Sequence, residues 1–132
     1  MKTKIVMTSS AIFLGVIGIL LSFLPSEIIT YLGVEPTIIT TLFLKILSAL
    51  YLGSGILNWM AKGSIIGGIY NRPIVIGNLM HFGVGAIALI KIVSHIETHS
   101  EIIISLTVLY VIFTILFTYI FKNNPATVKK QP

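Results

Sequence analysis

The chain has 132 residues, of which 55% are hydrophobic and only 10% are charged, and it contains no cysteine. A soluble globular domain is usually about 25% charged, and so short a chain cannot hide this much apolar surface in a water-soluble core. The composition therefore excludes an ordinary soluble domain, and the lack of cysteine excludes disulfides and thiolate metal sites. The net charge of +5 does not indicate nucleic-acid binding, because the basic residues flank apolar runs, as in membrane proteins.

Four apolar runs follow one another, each near the roughly 20 residues with which a helix crosses about 30 Å of hydrocarbon. Helices are expected, because four strands cannot close a barrel and an open sheet would leave backbone groups unpaired in lipid. The predicted spans cover residues 5–24, 38–60, 74–94 and 102–121. We therefore expect an all-α, four-helix transmembrane bundle with up-down-up-down topology, in a single membrane domain over residues 1–132.

The boundaries of the runs carry their own signals. The first run follows two lysines, as a signal peptide would, but it is too long for a cleavable one and ends in no small-x-small site, so we expect it to be retained. Pro25 and Pro36 bracket the first loop, and Pro73 occupies the first turn of the third span, where its missing N–H costs nothing. Residues 122–132 are expected to form a polar cytoplasmic tail.

The charged residues predict the orientation of the spans. One side of the membrane would carry seven of the nine basic residues, and the loops of the other side would carry all four acids and no Lys or Arg. The basic set comprises Lys2, Lys4, Lys62, Arg72, Lys122, Lys129 and Lys130, and the acidic set comprises Glu27, Glu35, Glu97 and Glu101. Because an excess of Lys and Arg marks the cytoplasmic face, both termini and the middle loop are predicted to be cytoplasmic.

Polar residues inside the spans are the candidates for function, since each must find a partner or reach the interface. The second and third spans form a hairpin, so Asn58 and Asn78 are expected at similar depth, with His81 one turn deeper. Together with Trp59 and Arg72 they form a predicted ligand-binding site, because a few polar groups converging in an apolar cavity are typical of such sites. The alternative is a self-satisfied hydrogen-bond cluster, with Trp59 as an interface anchor.

Lys45 is the only charge well inside a span, about 10 Å below the outer boundary at 1.5 Å per residue. It either snorkels to the interface or pairs with an outer-loop glutamate, or it binds an anion or a proton. Lys91 lies nearer the outer edge, where snorkelling suffices. The first span carries a face of small residues, which favours close helix packing. These residues are Ala11, Gly15, Gly18 and Ser22.

No catalytic residue, metal site or cofactor is predicted. The chain contains no aspartate, and none of its glutamates lies within a predicted span, so neither a catalytic triad nor an intramembrane carboxylate is available. His95 and His99 lie near two glutamates in the outer loop, but their spacing is not specific for a metal. Haem held by two histidines would need histidines on two different helices, but only the third of the predicted spans contains a histidine.

Short motifs in the hairpin between the second and third spans carry a family likeness. They are Leu57-Asn58-Trp59-Met60-Ala61, Asn71-Arg72-Pro73, Gly77-Asn78 and His81-Phe82. Over about its middle third, the chain resembles small four-helix bacterial membrane proteins of unknown function that are grouped with DoxX-like proteins. The resemblance implies a four-helix bundle in a bacterial cytoplasmic membrane, and it brings no activity and no catalytic residues.

The sequence favours a non-enzymatic, multi-pass membrane protein. It would bind a small lipophilic molecule or act as an accessory subunit of a membrane assembly, with membrane lipid and either its own copies or a larger complex as partners. One alternative is an oligomeric small transporter or channel, with Lys45 and the hydroxylated face of the fourth span lining an aqueous path. Another is a membrane enzyme acting on lipid or quinone, with His81 as acid or base.

Overall fold

The computed structural model describes residues 3–64 and 71–123, and these residues form five α-helices and no strand. In chain order the helices are α1 (Thr3–Phe23), α2 (Pro25–Tyr31), α3 (Ile38–Ala61), α4 (Arg72–Val93) and α5 (Ser100–Lys122). The all-α class expected from the sequence is confirmed. Residues 124–132, most of the expected cytoplasmic tail, lie outside the described residues.

Within the described ranges, four helices are long and apolar enough to cross a membrane, with lengths of 21 to 24 residues. At 1.5 Å per residue they are about 32–36 Å long, which matches a hydrocarbon layer of about 30 Å. Many of their large apolar side chains are exposed, up to 88% for Ile38. These are the features of a multi-pass membrane protein. Both ends of each of the four long helices lie within two residues of the ends of the predicted span.

The first loop contains a short helix that the sequence reasoning did not predict. Pro25 is the first residue of α2. Its fixed φ suits the first position of a helix, and the same residue also ends the preceding helix. Helix α2 ends at Tyr31, and Gly33, two residues later, has a left-handed φ of 81°. The amides of Gly33 and Val34 donate to the carbonyls of Thr30 and Ile29 at 3.0 and 3.2 Å, which is the Schellman arrangement.

The start of α3 is fixed by a reciprocal pair of threonines. The Thr40 amide donates to Oγ1 of Thr37 at 3.1 Å, and the Thr37 amide donates to Oγ1 of Thr40 at 2.9 Å. This is a capping box with threonine in the place usually taken by glutamate or glutamine. It satisfies two backbone donors and sets the residue at which the second long helix begins.

The chain folds as two compact units. One unit runs from Met7 to Met60, and the other comprises Met1–Val6 with Ala61–Pro132. We refer to them as the α1–α3 unit and the α4–α5 unit after the long helices that they contain. The single membrane domain, the up-down-up-down order of all four spans and their orientation remain predictions.

Small residues bring the backbones of α1 and α3 together in the α1–α3 unit. A Cβ atom added to Gly55 would lie 3.1 Å from the Gly15 nitrogen and 3.2 Å from the Ala11 carbonyl oxygen. Similarly, a Cβ on Gly18 would lie 2.7 Å from Cγ of Leu52. Partner numbers fall along α3 as they rise along α1, so the two helices are antiparallel. The close packing expected from the small-residue face of α1 is found.

Aromatic residues perform the corresponding role in the α4–α5 unit. The ring of Phe82, which is fully buried, stacks on Phe113 and Phe117 of α5 at centroid distances of 4.8 and 5.8 Å. It also meets the Tyr110 ring edge to face at 5.3 Å. Gly85 faces Tyr110 so closely that an added Cβ would lie 2.7 Å from Cδ1 of that ring. Tyr110 of α5 therefore packs on a small residue of α4, whereas Phe113 and Phe117 pack on a large one.

We expect Gly55→Ala to lower the free energy of unfolding by about 1–3 kcal/mol, because the new methyl group meets backbone atoms that cannot rotate away. Gly53→Ala is the matched control, since a Cβ at Gly53 has no atom within 4 Å. It should be neutral or stabilising by up to about 1 kcal/mol, the difference in helix propensity. Unfolding of both variants in detergent checks this, and equal stability changes would contradict the close approach.

Candidate functional site

Asn58 links the two long helices of the α1–α3 unit. Its Nδ2 donates to Oγ of Ser10 at 3.0 Å, and the Ser10 hydroxyl donates to the Met7 carbonyl oxygen at 3.0 Å. Asn58 and Ser10 are both completely buried. In lipid such a bond replaces lost contact with water and helps hold helices together. The Asn58 amide is thus engaged in helix association.

Trp59 is the neighbour of Asn58 but lies on the surface, with 50% of its area exposed. It stands at an apolar groove of about 200 Å³ between α1 and α3, which we call the Trp59 groove. The groove is lined by Ala11, Ile12 and Gly15 of α1 and by Leu52, Gly55, Ile56 and Trp59 of α3. A Cβ at Gly15 would have no atom within 4 Å, so the space above this glycine is open.

The other three predicted site residues lie in α4. The guanidinium carbon of Arg72 is 4.9 Å from the centre of the Phe121 ring, a cation–π distance. Nδ2 of Asn78 donates to the Ile74 carbonyl oxygen at 2.9 Å, one turn earlier in the same helix. Nε2 of His81 is hydrogen-bonded to the Tyr110 hydroxyl at 3.2 Å. Two of these contacts tie α4 to α5, and the Asn78 bond stays within α4.

The five predicted site residues are therefore divided between the two units, and their convergence on one ligand stays a prediction. In the described part of the chain, every buried side-chain nitrogen and oxygen atom has a hydrogen-bond partner. This favours the structural interpretation for Asn58 and Asn78. Their partners Ser10 and Ile74 were not singled out from the sequence, where Ser10 is one of three successive hydroxylated residues.

Lys45 lies in α3 beside a second depression of the α1–α3 unit, with a volume of about 480 Å³. We call it the Lys45 cavity, and its lining comprises Ser26, Pro36, Thr37, Ile38, Thr41, Leu42 and Lys45. Within the described residues of the α1–α3 unit, no carboxylate lies within ion-pair distance of Lys45. Lys45 is therefore not paired with Glu27 or Glu35, and pairing with a glutamate of the other outer loop stays a prediction.

The outer histidines have neighbouring hydroxyl and carboxylate partners. His99 precedes α5 with a left-handed φ of 52°, and its Nδ1 lies 3.6 Å from Oε1 of Glu101. Nδ1 of His95 is hydrogen-bonded to the Ser94 hydroxyl at 3.2 Å. The described residues contain no group of three or more potential ligands that could hold a metal ion.

A double-mutant cycle on Ser10 and Asn58 tests the bond between α1 and α3. We expect Ser10→Ala to lower the free energy of unfolding by about 0.6–1.7 kcal/mol, which runs from the mean to the maximum for hydrogen bonds between membrane helices. Asn58→Ala should cost more, because it also empties a buried volume. The coupling energy between the two substitutions should equal the loss of unfolding free energy that Ser10→Ala causes alone. Ser105→Ala is the control, since its hydroxyl donates only to the Glu101 carbonyl of its own helix. If the losses of unfolding free energy in the two single variants simply add in the double variant, the hydrogen bond between Ser10 and Asn58 is contradicted.

Two candidate surfaces, the Trp59 groove and the Lys45 cavity, thus lie on the α1–α3 unit. The likeness of the middle of the chain to DoxX-like proteins stays an expectation from short motifs. No protein family, curated protein or solved structure matches the chain.

Proposed function

We propose that this chain is a non-enzymatic protein of a bacterial cytoplasmic membrane that binds a small lipophilic molecule in the Trp59 groove. The observation that carries the proposal is an apolar groove of about 200 Å³ between α1 and α3, bounded by a half-exposed tryptophan. Pockets for drug-sized ligands have about 300–1,000 Å³. The groove is smaller, so it suits one apolar chain, such as part of an acyl or isoprenoid group.

Trp59 gives the groove a polar boundary. Tryptophan is enriched at membrane–water interfaces, because its ring packs on apolar chains while its indole N–H tolerates water. Trp59 stands two residues before the last residue of α3, on the side that the lysines predict to be cytoplasmic. A bound molecule would therefore place its apolar chain along Gly15 and Gly55 and its polar end beside Trp59.

The hydrogen bonds of α5 support a binding protein over a channel. The hydroxyls of Thr107, Thr114 and Thr118 each donate at 2.7 Å to the carbonyl oxygen four residues earlier in the same helix. The single proton of each hydroxyl is thus used within α5 and is not offered to a molecule in an aqueous path. At these three positions the hydroxylated face of α5, on which the channel alternative depends, directs its donors to its own backbone.

The same groove could accept an apolar helix of another membrane protein, because small residues allow close helix approach. This is the accessory-subunit form of the proposal. The two forms differ in what remains bound after purification in mild detergent, which is a small molecule in one case and a protein chain in the other. Mass spectrometry of the purified full-length protein distinguishes them.

Gly15→Leu tests the groove directly. A Cβ atom at Gly15 would have no atom within 4 Å, so the variant should fold, and the leucine side chain should occupy the groove and exclude the ligand. Trp59 is the only tryptophan of the chain, and its fluorescence therefore reports on the groove alone. In detergent we expect dibromostearate to quench wild-type Trp59 in a saturable manner, with the apparent Kd rising at least tenfold in Gly15→Leu.

Gly53→Leu is the matched control, because Gly53 is also a helix residue with open space around its Cβ position but does not line the groove. It should leave the apparent Kd unchanged. Quenching that rises without saturation, and equally in wild type and both variants, would show that dibromostearate only partitions into the micelle. That result would reject a specific lipophile site at Trp59.

A further inference from the structure

The Lys45 cavity is a second, separate feature of the α1–α3 unit. Lys45 and Trp59 are fourteen residues apart on α3, which corresponds to about 21 Å along the helix at 1.5 Å per residue. The cavity has about 480 Å³, more than twice the volume of the Trp59 groove, and its lining combines a cation, hydroxyl groups and aliphatic side chains.

The positive charge of Lys45 favours an anionic partner. A lysine inside a membrane span is costly unless its ammonium group reaches water or meets an opposite charge. Glu27 is the acid nearest in sequence to the lining residue Ser26, and it lines a neighbouring depression together with Ser26, Thr30 and Tyr31, but it does not line the Lys45 cavity. In the described residues of the α1–α3 unit, no carboxylate is within ion-pair distance of Lys45, and the cavity lining contains no acidic residue. The lining therefore presents a positive charge without an opposite charge.

Two hydroxyl groups extend this donor set. In residues 3–64 and 71–123, the side chains of Ser26 and Thr41 make no hydrogen bond, unlike that of Thr37, which is used in the capping box of α3. A phosphate group accepts hydrogen bonds on several oxygen atoms and pairs well with an ammonium group. Lys45, Ser26 and Thr41 together match that chemistry.

The apolar part of the lining distinguishes a lipid from a water-soluble anion. Leu42 and Ile38 line the same cavity and are highly exposed, as residues in contact with acyl chains are. A free phosphate ion would gain nothing from these side chains, whereas a phospholipid would place its headgroup on Lys45 and its chains against Leu42 and Ile38.

We propose that the Lys45 cavity binds the phosphate headgroup of an anionic phospholipid. The ammonium group of Lys45 and the hydroxyls of Ser26 and Thr41 hold the phosphate oxygens, and Ile38 and Leu42 contact the first part of the acyl chains. The site shares no residue with the Trp59 groove, so either site can exist without the other.

Native mass spectrometry of the full-length protein, released from detergent containing equal amounts of phosphatidylglycerol and phosphatidylcholine, tests the proposal. Wild type should retain phosphatidylglycerol at least fivefold over phosphatidylcholine. Lys45→Gln should abolish this preference, Lys45→Arg should keep it, and Thr41→Val should reduce it about threefold. Lys91→Gln removes the other lysine that lies within a predicted span and should leave the preference intact.

Two results would overturn the proposal. One is an unchanged preference in Lys45→Gln and Thr41→Val, which would mean that phosphatidylglycerol binds elsewhere. The other is displacement of phosphatidylglycerol by millimolar inorganic phosphate, which would identify a small-anion site and not a lipid site. If Lys45→Gln does not fold, Thr41→Val and Lys45→Arg still test the proposal, because both variants keep the positive charge at position 45.

Discussion

Hydrocarbon surroundings are the constraint on which the whole structure depends. Lipid offers no hydrophobic drive for one helix to bind another, so helices associate through close packing and internal hydrogen bonds. Both are visible in the α1–α3 unit, where Gly55 lies against backbone atoms of Gly15 and Ala11 and Asn58 is bonded to Ser10. In the α4–α5 unit, stacked aromatic rings and the bond between His81 and Tyr110 have the same role.

The two candidate surfaces follow from this constraint. Glycines that let α1 and α3 approach also leave a groove beside them, because they carry no side chain to fill it, and Trp59 bounds that groove. At the start of α3, the short helix α2 brings Ser26 to the cavity that Lys45 lines. The one cation well inside a predicted span thereby has hydroxyl and aliphatic neighbours, which is the combination that an anionic lipid requires.

Much of the fold could be predicted from the sequence, because spans are set by apolar length and their ends by proline and charge. The site could be predicted only in part. Asn58 and Asn78 are recognisable from the sequence as polar residues in lipid. The partner of Asn58 on α1 depends on the rotation of that helix, and the three successive hydroxylated residues that end at Ser10 do not reveal which of them faces α3. Helix α2 was missed because Pro25 ends one helix and begins another, and the capping box because threonine replaces glutamate.

The most direct test of the central claim, that this chain crosses the membrane four times with its lysine-rich side in the cytoplasm, is labelling with a membrane-impermeant maleimide. The chain has no cysteine, so single cysteines can be placed at Val34, Thr98, Gly63 and Asn123. In intact cells, Val34→Cys and Thr98→Cys should react, whereas Gly63→Cys and Asn123→Cys should react only after the membrane is opened. Reaction of all four from the same side would contradict the account.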